Sequence, residues 1–380
     1  MSHVVFRHAS PGIAHQRAAQ LLSAAWGVSV SFGVSPEAQS WVDSGWLEAP
    51  GTHEPRFEDA FAWILWRTEY WELTLEKDGH GRPMGRSATR DVMIPEAELR
   101  AIELAEAYGV SLPHKGKPSP TVVVDIDHLF AYRGRGWRSA VGGAVRDVLR
   151  GDWRAVAERV NGPDPFYSSA YWAKWASRFP QGTLQFFVLL AAEQGTYDRG
   201  VRPDSEAVRA AIKQLGMRFE VGAHLSYGSH DRSGGFRTEI GYVDQILGVS
   251  TLRQRFHFLR NAGSLLQLQS LTELGVREDW SDEFADTPGF RSGWANPFPL
   301  NENLWSVPVA VMDQNLIHLA PEEVAQTLHR LERAAWSVGS GLRVGTHWRI
   351  FGPRPAAERN AKDFSTWREG LERWLNERPS

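Results

Sequence analysis

From residue 121 onward, apolar runs short enough to be strands alternate with segments of helical periodicity. No other feature constrains the fold as strongly. The strand candidates are TVVVDID (121–127), TLQFFVLL (183–190), MRFEVGAH (217–224), RQRFHFL (253–259), VPVAVMD (307–313) and GLRVGTHW (341–348). Between them lie SEAVRAAIKQLG (205–216), GFRTEIGYVDQILG (235–248) and PEEVAQTLHRLERAAW (321–336), which read as helices. Strands that alternate with helices pair in parallel. The pattern therefore predicts an α/β fold with a parallel sheet, open or closed into a barrel.

The stretch LPHKGKPSP (112–120) has no periodicity and is rich in Pro, Lys and Gly, so it reads as a linker. A boundary near residue 117 gives two domains, 1–117 and 118–380, as a chain of 380 residues leads one to expect. Before it, RFEDAFAWILWRTEYWEL (56–73) and PEAELRAIELAEAYG (95–109) read as helices, VSVSFGV (28–34) as a strand and KDGHGRP (77–83) as a turn. The first domain is expected to be a small α+β unit. Glu69, Tyr70, Asp78, His80 and Arg82 form a polar cluster there, which reads better as a hydrogen-bonded turn than as a second active site.

Composition narrows the chemistry. There are no cysteines, so disulfides and thiolate metal sites are impossible, and any metal must be held by His, Asp or Glu. The formal charge is −3 and no long basic run appears, which argues against nucleic acid as a partner. The strongest apolar run, FFVLLAA (186–192), is too short to span a bilayer, so no transmembrane segment is expected. No apolar segment with a cleavage site opens the chain, and the expected location is the cytoplasm. The 17 tryptophans suit either sugar stacking or ordinary cores.

The strand candidates end in groups that strands disfavour. Asp125 and Asp127 share one face of the first, since side chains at i and i+2 point the same way. His224 ends the third, Arg255 and His257 share a face of the fourth, and His347 lies near the end of the last. The C-terminal ends of parallel strands line active sites in such folds. Two adjacent carboxylates repel unless a cation or a proton intervenes, so a functional role is the leading explanation for the aspartate pair. Arginines in a structural network are the plainer alternative. An apolar strand ending D-x-D also opens haloacid-dehalogenase-type phosphatases, which use magnesium. That pattern wants Thr or Val where this chain has Leu129.

Taken in order, these residues resemble the polysaccharide deacetylases with NodB homology, carbohydrate esterase family 4, over roughly residues 120–375. Asp125 and Asp127 are similar to that family's first motif. VGAHLSYGS (221–229) is similar to the second, and RQRFHFLR (253–260) to the arginine-bearing third. ELGVREDWSDEFADTPGFRSGWANPFPL (273–300) resembles the following segment, and GTHW (345–348) the last motif. DAFAWILWRTEYWE (59–72) with DGHGR (78–82) resembles an uncharacterised domain that precedes such barrels.

The resemblance implies a distorted (β/α) barrel of the glycoside hydrolase/deacetylase type with a divalent metal, usually zinc. It implies a hydrolase that removes an N-acyl group from an amino sugar or polysaccharide, with a carbohydrate as partner. Asp125 would be the general base, Arg255 the residue that orients it, and His347 the general acid. Asp127 and His224 would hold the metal. Tyr227, Phe258, Arg291 and Trp294 would contact substrate.

One departure stands out. The second motif usually has histidines four apart, and residue 228 is Gly. His257 is the expected third ligand, His230 the alternative and Ser229 a weaker oxygen donor. Catalytic zinc typically has three protein ligands. If the ligand is lost altogether, the barrel would only bind saccharide, with Trp172, Trp175 or Trp294 as platforms.

Overall fold

The computed structural model describes residues 3–7, 12–33, 50, 53–57, 59–112, 116–134, 137–160, 162–177, 183–260, 265–353 and 364–378. Residue 34 of the first-domain strand and residues 113–115 of the linker lie outside them. The chain divides into two compact units. One comprises Met1–Pro120, Asp282–Val311 and His329–Arg343; the other comprises Thr121–Ser281, Met312–Leu328 and Val344–Ser380.

In the first unit, β1 (His3–Arg7) pairs in parallel with β2 (Ser29–Gly33). A parallel pair needs a crossover. The helix Ile13–Trp26 supplies it, burying Ala18, Leu21, Leu22, Ala25 and Trp26, and stops at Gly27, whose φ of 66° suits glycine. The core gathers around Phe6, whose ring meets Trp26, Phe32, Phe61 and Tyr108. The helix Ala60–Leu65 is buried at every position and continues into a wider turn, Trp66–Tyr70. The predicted helix at 95–109 spans Glu96–Ala107. The polar turn satisfies itself: Asp78 Oδ1 accepts from the backbone N–H of His80 at 2.8 Å and of Arg82 at 3.0 Å, and Glu69 pairs with Arg17.

The second unit is α/β. Its strands β3 (Thr121–Ile126), β4 (Leu184–Leu189), β5 (Glu220–Leu225), β6 (Arg253–Phe256) and β7 (Glu278–Asp279) pair in parallel in that order. The short pair β8 (Phe298–Pro299) and β9 (Trp305–Ser306) is antiparallel and belongs to the first unit. β10 (Val311–Met312) and β11 (Arg343–His347) complete the order β10-β11-β3-β4-β5-β6-β7, in a sheet curled into a half-barrel. β4 is buried at every residue, as a central parallel strand covered on both faces must be. Each such Leu, Val or Phe contributes roughly 1.5–3 kcal/mol. The helix Glu206–Gly216 turns Val208, Ala211, Ile212 and Leu215 inward, the spacing of one helical face.

Several boundaries differ from the sequence reading. Met217–Phe219 belong to the turn that ends the preceding helix, and the strand starts at Glu220. VPVAVMD pairs only at Val311–Met312. The fourth strand stops at Phe256, because Phe258 and Leu259 adopt φ of 61° and 52°, which no strand can carry. Among the described residues, no helix is long and apolar enough to cross a membrane.

Candidate metal centre

The strand ends of the second unit bring most of the expected side chains together. Parallel pairing sets His224 beside Arg255 and Leu189 beside His224. Asp127 follows β3 directly. Among the described residues, Asp127, His224 and His257 form a group whose potential ligand atoms all lie within 4.8 Å of one another. All three side chains are buried.

Each imidazole is anchored at one nitrogen and free to coordinate with the other. His224 Nδ1 lies 3.0 Å from the backbone oxygen of Arg255, and its Nε2 lies 3.3 Å from Asp127 Oδ1. His257 Nδ1 lies 3.0 Å from Asp198 Oδ1, and its Nε2 lies 3.8 Å from the same Asp127 oxygen. An acceptor at Nδ1 places the proton there and leaves the Nε2 lone pair directed at the third member.

The carboxylates divide their oxygens. Asp127 Oδ2 accepts from Arg349 Nη1 at 2.9 Å, while Oδ1 is buried and accepts no hydrogen bond. Asp125 Oδ2 accepts from Arg255 Nε at 2.9 Å, and its Oδ1 is likewise buried and unsatisfied. A buried carboxylate oxygen without a donor is costly. A cation among Asp127 Oδ1 and the two Nε2 atoms relieves that cost, so the residues present fit a divalent metal. Two imidazole nitrogens with one carboxylate form a donor set suited to zinc or another imidazole-binding transition metal rather than to magnesium.

His347 completes the cluster. Its Nε2 lies 3.4 Å from Asp127 Oδ2, and Nδ1 lies 3.0 Å from both Asp313 oxygens. Burial works to lower its pKa, but Asp313 and Asp127 outweigh burial and raise it to about 9. Asp127 shows the complementary effect. Burial pushes its carboxyl up, yet His347 and His257 hold it well below the usual carboxylate range.

The other expectations fare differently. His230 is not in the cluster: its ring packs against Phe256 at 4.5 Å and Nδ1 meets the Gln267 amide at 3.0 Å. Ser229 Oγ donates to the Ser226 carbonyl at 2.6 Å and is not among the grouped ligands. Tyr227 and Phe258 pack with Tyr197, and Phe258 also touches His257. Arg291 and Trp294 belong to the first unit. Arg291 is paired with Glu72 at 2.8 Å, and Trp294 is fully buried with its indole N–H on Thr68 Oγ1 at 2.8 Å. Trp172 and Trp175 are buried too, so none of the three tryptophans named as saccharide platforms offers an open face.

Sequence reasoning missed Asp198, Asp313 and Arg349. Asp313 ends VPVAVMD and obeys the same strand-end rule that selected Asp125 and His347, so the signal was there. Asp198 lies in an aperiodic loop and Arg349 in the turn after β11, where no pattern marks them.

No family model and no curated protein matches the chain. Among solved structures, a Mycobacterium smegmatis protein assigned as a polysaccharide deacetylase aligns over 70% of this chain and 86% of its own, at 13% identity and a TM-score of 0.42. An allantoinase covers 76% of this chain and 90% of its own, at 14% identity and a TM-score of 0.38. The Bacillus cereus polysaccharide deacetylase covers 68% and 87%, at 10% identity and a TM-score of 0.29. At such scores the functional reading has to rest on the residues of the site.

Proposed function

We propose that this protein is a metal-dependent hydrolase that removes an N-acyl group, acetyl in the first instance, from an amino sugar or polysaccharide. One observation carries the reading. Two imidazoles, each anchored at Nδ1, face a buried carboxylate oxygen that nothing else satisfies, beside an Asp–Arg pair and an Asp–His pair.

In this reading Asp127, His224 and His257 hold the divalent ion, zinc by its donor set. Bound there, it supplies a Lewis acid for the amide carbonyl and the attacking water. Asp125 is the general base. Its contact with the Arg255 guanidinium fixes one oxygen and leaves the other to receive the proton of water. His347 is the general acid, kept protonated by Asp313 and Asp127 and able to give its Nε2 proton to the departing nitrogen. Phe258 packs against His257 and Tyr227 against Phe258, and both would contact the sugar.

The alternatives are less well supported. A barrel that only binds saccharide needs neither a base–arginine nor an acid–carboxylate pair, and its proposed tryptophan platforms are buried. A magnesium phosphatase would want oxygen donors where this site has imidazoles.

The test is acetate release from N-acetylated amino sugars and chitin oligosaccharides by zinc-loaded protein. Wild type should release acetate, and Asp125→Asn should bind zinc normally while losing turnover. Phosphate release with magnesium, independent of His224, would favour the phosphatase instead.

A further inference from the structure

We propose that Asp198 is the positioning residue that makes His257 a metal ligand, and that the backbone of Gly228 helps to hold it in place. This rests on the reading of Asp127, His224 and His257 as the metal group.

An imidazole has a lone pair for a metal at Nε2 only when its proton sits on Nδ1. His224 is held in that form by a main-chain carbonyl, which no substitution removes. His257 depends on a side chain. Asp198 Oδ1 lies 3.0 Å from its Nδ1, and an ionised carboxylate can only accept. Asp198 is itself fixed: the N–H of Tyr227 donates to Oδ1 and the N–H of Gly228 to Oδ2, both at 2.8 Å. The carboxylate is 3% exposed and lies in the loop after β4, so it joins that loop, the turn after β5 and the end of β6 at one point.

Gly228 takes part in this arrangement. A Cβ there would stand 3.3 Å from Asp198 Oδ2 and 3.2 Å from Arg232 Nη2, tighter than ordinary packing. A side chain at 228 would therefore have to push the Asp198 carboxylate and the Arg232 guanidinium aside by a few tenths of an ångström. This chain has the anchor, and its third imidazole comes from the end of β6.

The inference has a readout that needs no substrate. In zinc-free wild type at alkaline pH, nitrogen NMR of labelled histidines should show His257 with its proton on Nδ1 and a bare Nε2. Asp198→Asn puts an amide NH2 among groups that all require an acceptor. It should shift His257 toward the other tautomer and weaken zinc binding about tenfold to a hundredfold, measured by competition with a chromophoric chelator. His257→Ala should weaken it at least as much. A wild-type His257 protonated on Nε2 overturns the proposal even if the variant fails to fold. Unchanged zinc affinity in Asp198→Asn, with loss in His257→Ala, overturns the role of Asp198 alone. Unchanged affinity in both overturns the ligand reading beneath it.

Discussion

His347 and Asp313 are joined twice: the ring Nδ1 lies 3.0 Å from the carboxylate, and the backbone N–H of His347 donates to Asp313 Oδ2 at 2.7 Å. The Thr346 hydroxyl donates to the same oxygen at 3.1 Å. The carboxylate thus fixes both the strand end and the ring. Asp313→Asn keeps the shape but removes the charge that favours the imidazolium. Turnover should fall by about a hundredfold or more, the usual contribution of a general acid, while zinc content stays at the wild-type level. Steady-state kinetics with metal analysis on the same samples checks both.

His230 gives a pH dependence away from the metal. Burial lowers its pKa from 6.5 to about 4, and Arg260 adds to the effect. The folded state therefore favours the neutral ring, and below pH 6.5 the unfolded chain takes up the proton first. The stability tied to neutral His230 is intact above pH 6.5 and is lost as pH falls toward 4, by roughly 3 kcal/mol in all. His230→Phe, between Phe236 and Phe256, removes this dependence. Urea titrations of metal-free protein at pH 7 and pH 4.5 should show a smaller loss for the variant. Equal losses would mean that His230 is not buried neutral.

Phe258 and Leu259 are the non-glycine residues with positive φ, at 61° and 52°, among the described residues. A left-handed conformation costs a residue with a Cβ roughly 1–2 kcal/mol. The turn brings Phe258 against His257 and Tyr227. Comparing Phe258→Gly with Phe258→Ala cancels the lost ring. The glycine variant should be more stable by about 1 kcal/mol, and both should bind substrate more weakly. An alanine variant as stable as the glycine one would deny the strain.

Glu239 sits inside the second unit and accepts from the Ser226 N–H at 2.8 Å, the Ser226 hydroxyl at 2.6 Å and the Ala192 N–H at 3.0 Å. It ties the segments that follow β4 and β5, from which Asp198 and the 227–228 turn emerge. Glu239→Ala strands those donors and should cost about 3 kcal/mol, read as a fall in the urea midpoint. A shift within experimental scatter would show that water replaces the carboxylate fully.

The sequence made some of this legible and concealed the rest, for physical reasons. Period and length located the strands, because a parallel strand is buried along its whole length and leaves an apolar run, as FFVL does in β4. The end-of-strand rule singled out Asp125, Asp127, His224 and His347, and the fold sets His224 and His347 each against Asp127. His257, which the fold groups with Asp127 and His224, was reached by an imperfect argument. Strand alternation was expected to project it, but the strand ends at Phe256 and a left-handed turn does so instead. Tryptophan abundance left sugar stacking and core filling open, and Trp172, Trp175 and Trp294 are core residues. Asp198 was invisible because its role depends on meeting His257, fifty-nine positions away. The grouping of 282–311 and 329–343 with the first unit was hidden for the same reason: no local pattern records which segments meet.

The most direct test of the central claim is anomalous scattering at the zinc edge from crystals soaked in zinc. The account predicts a peak about 2.0–2.2 Å from His224 Nε2, His257 Nε2 and an oxygen of Asp127. A cluster without a peak, or a peak on residues that exclude His257, would contradict it.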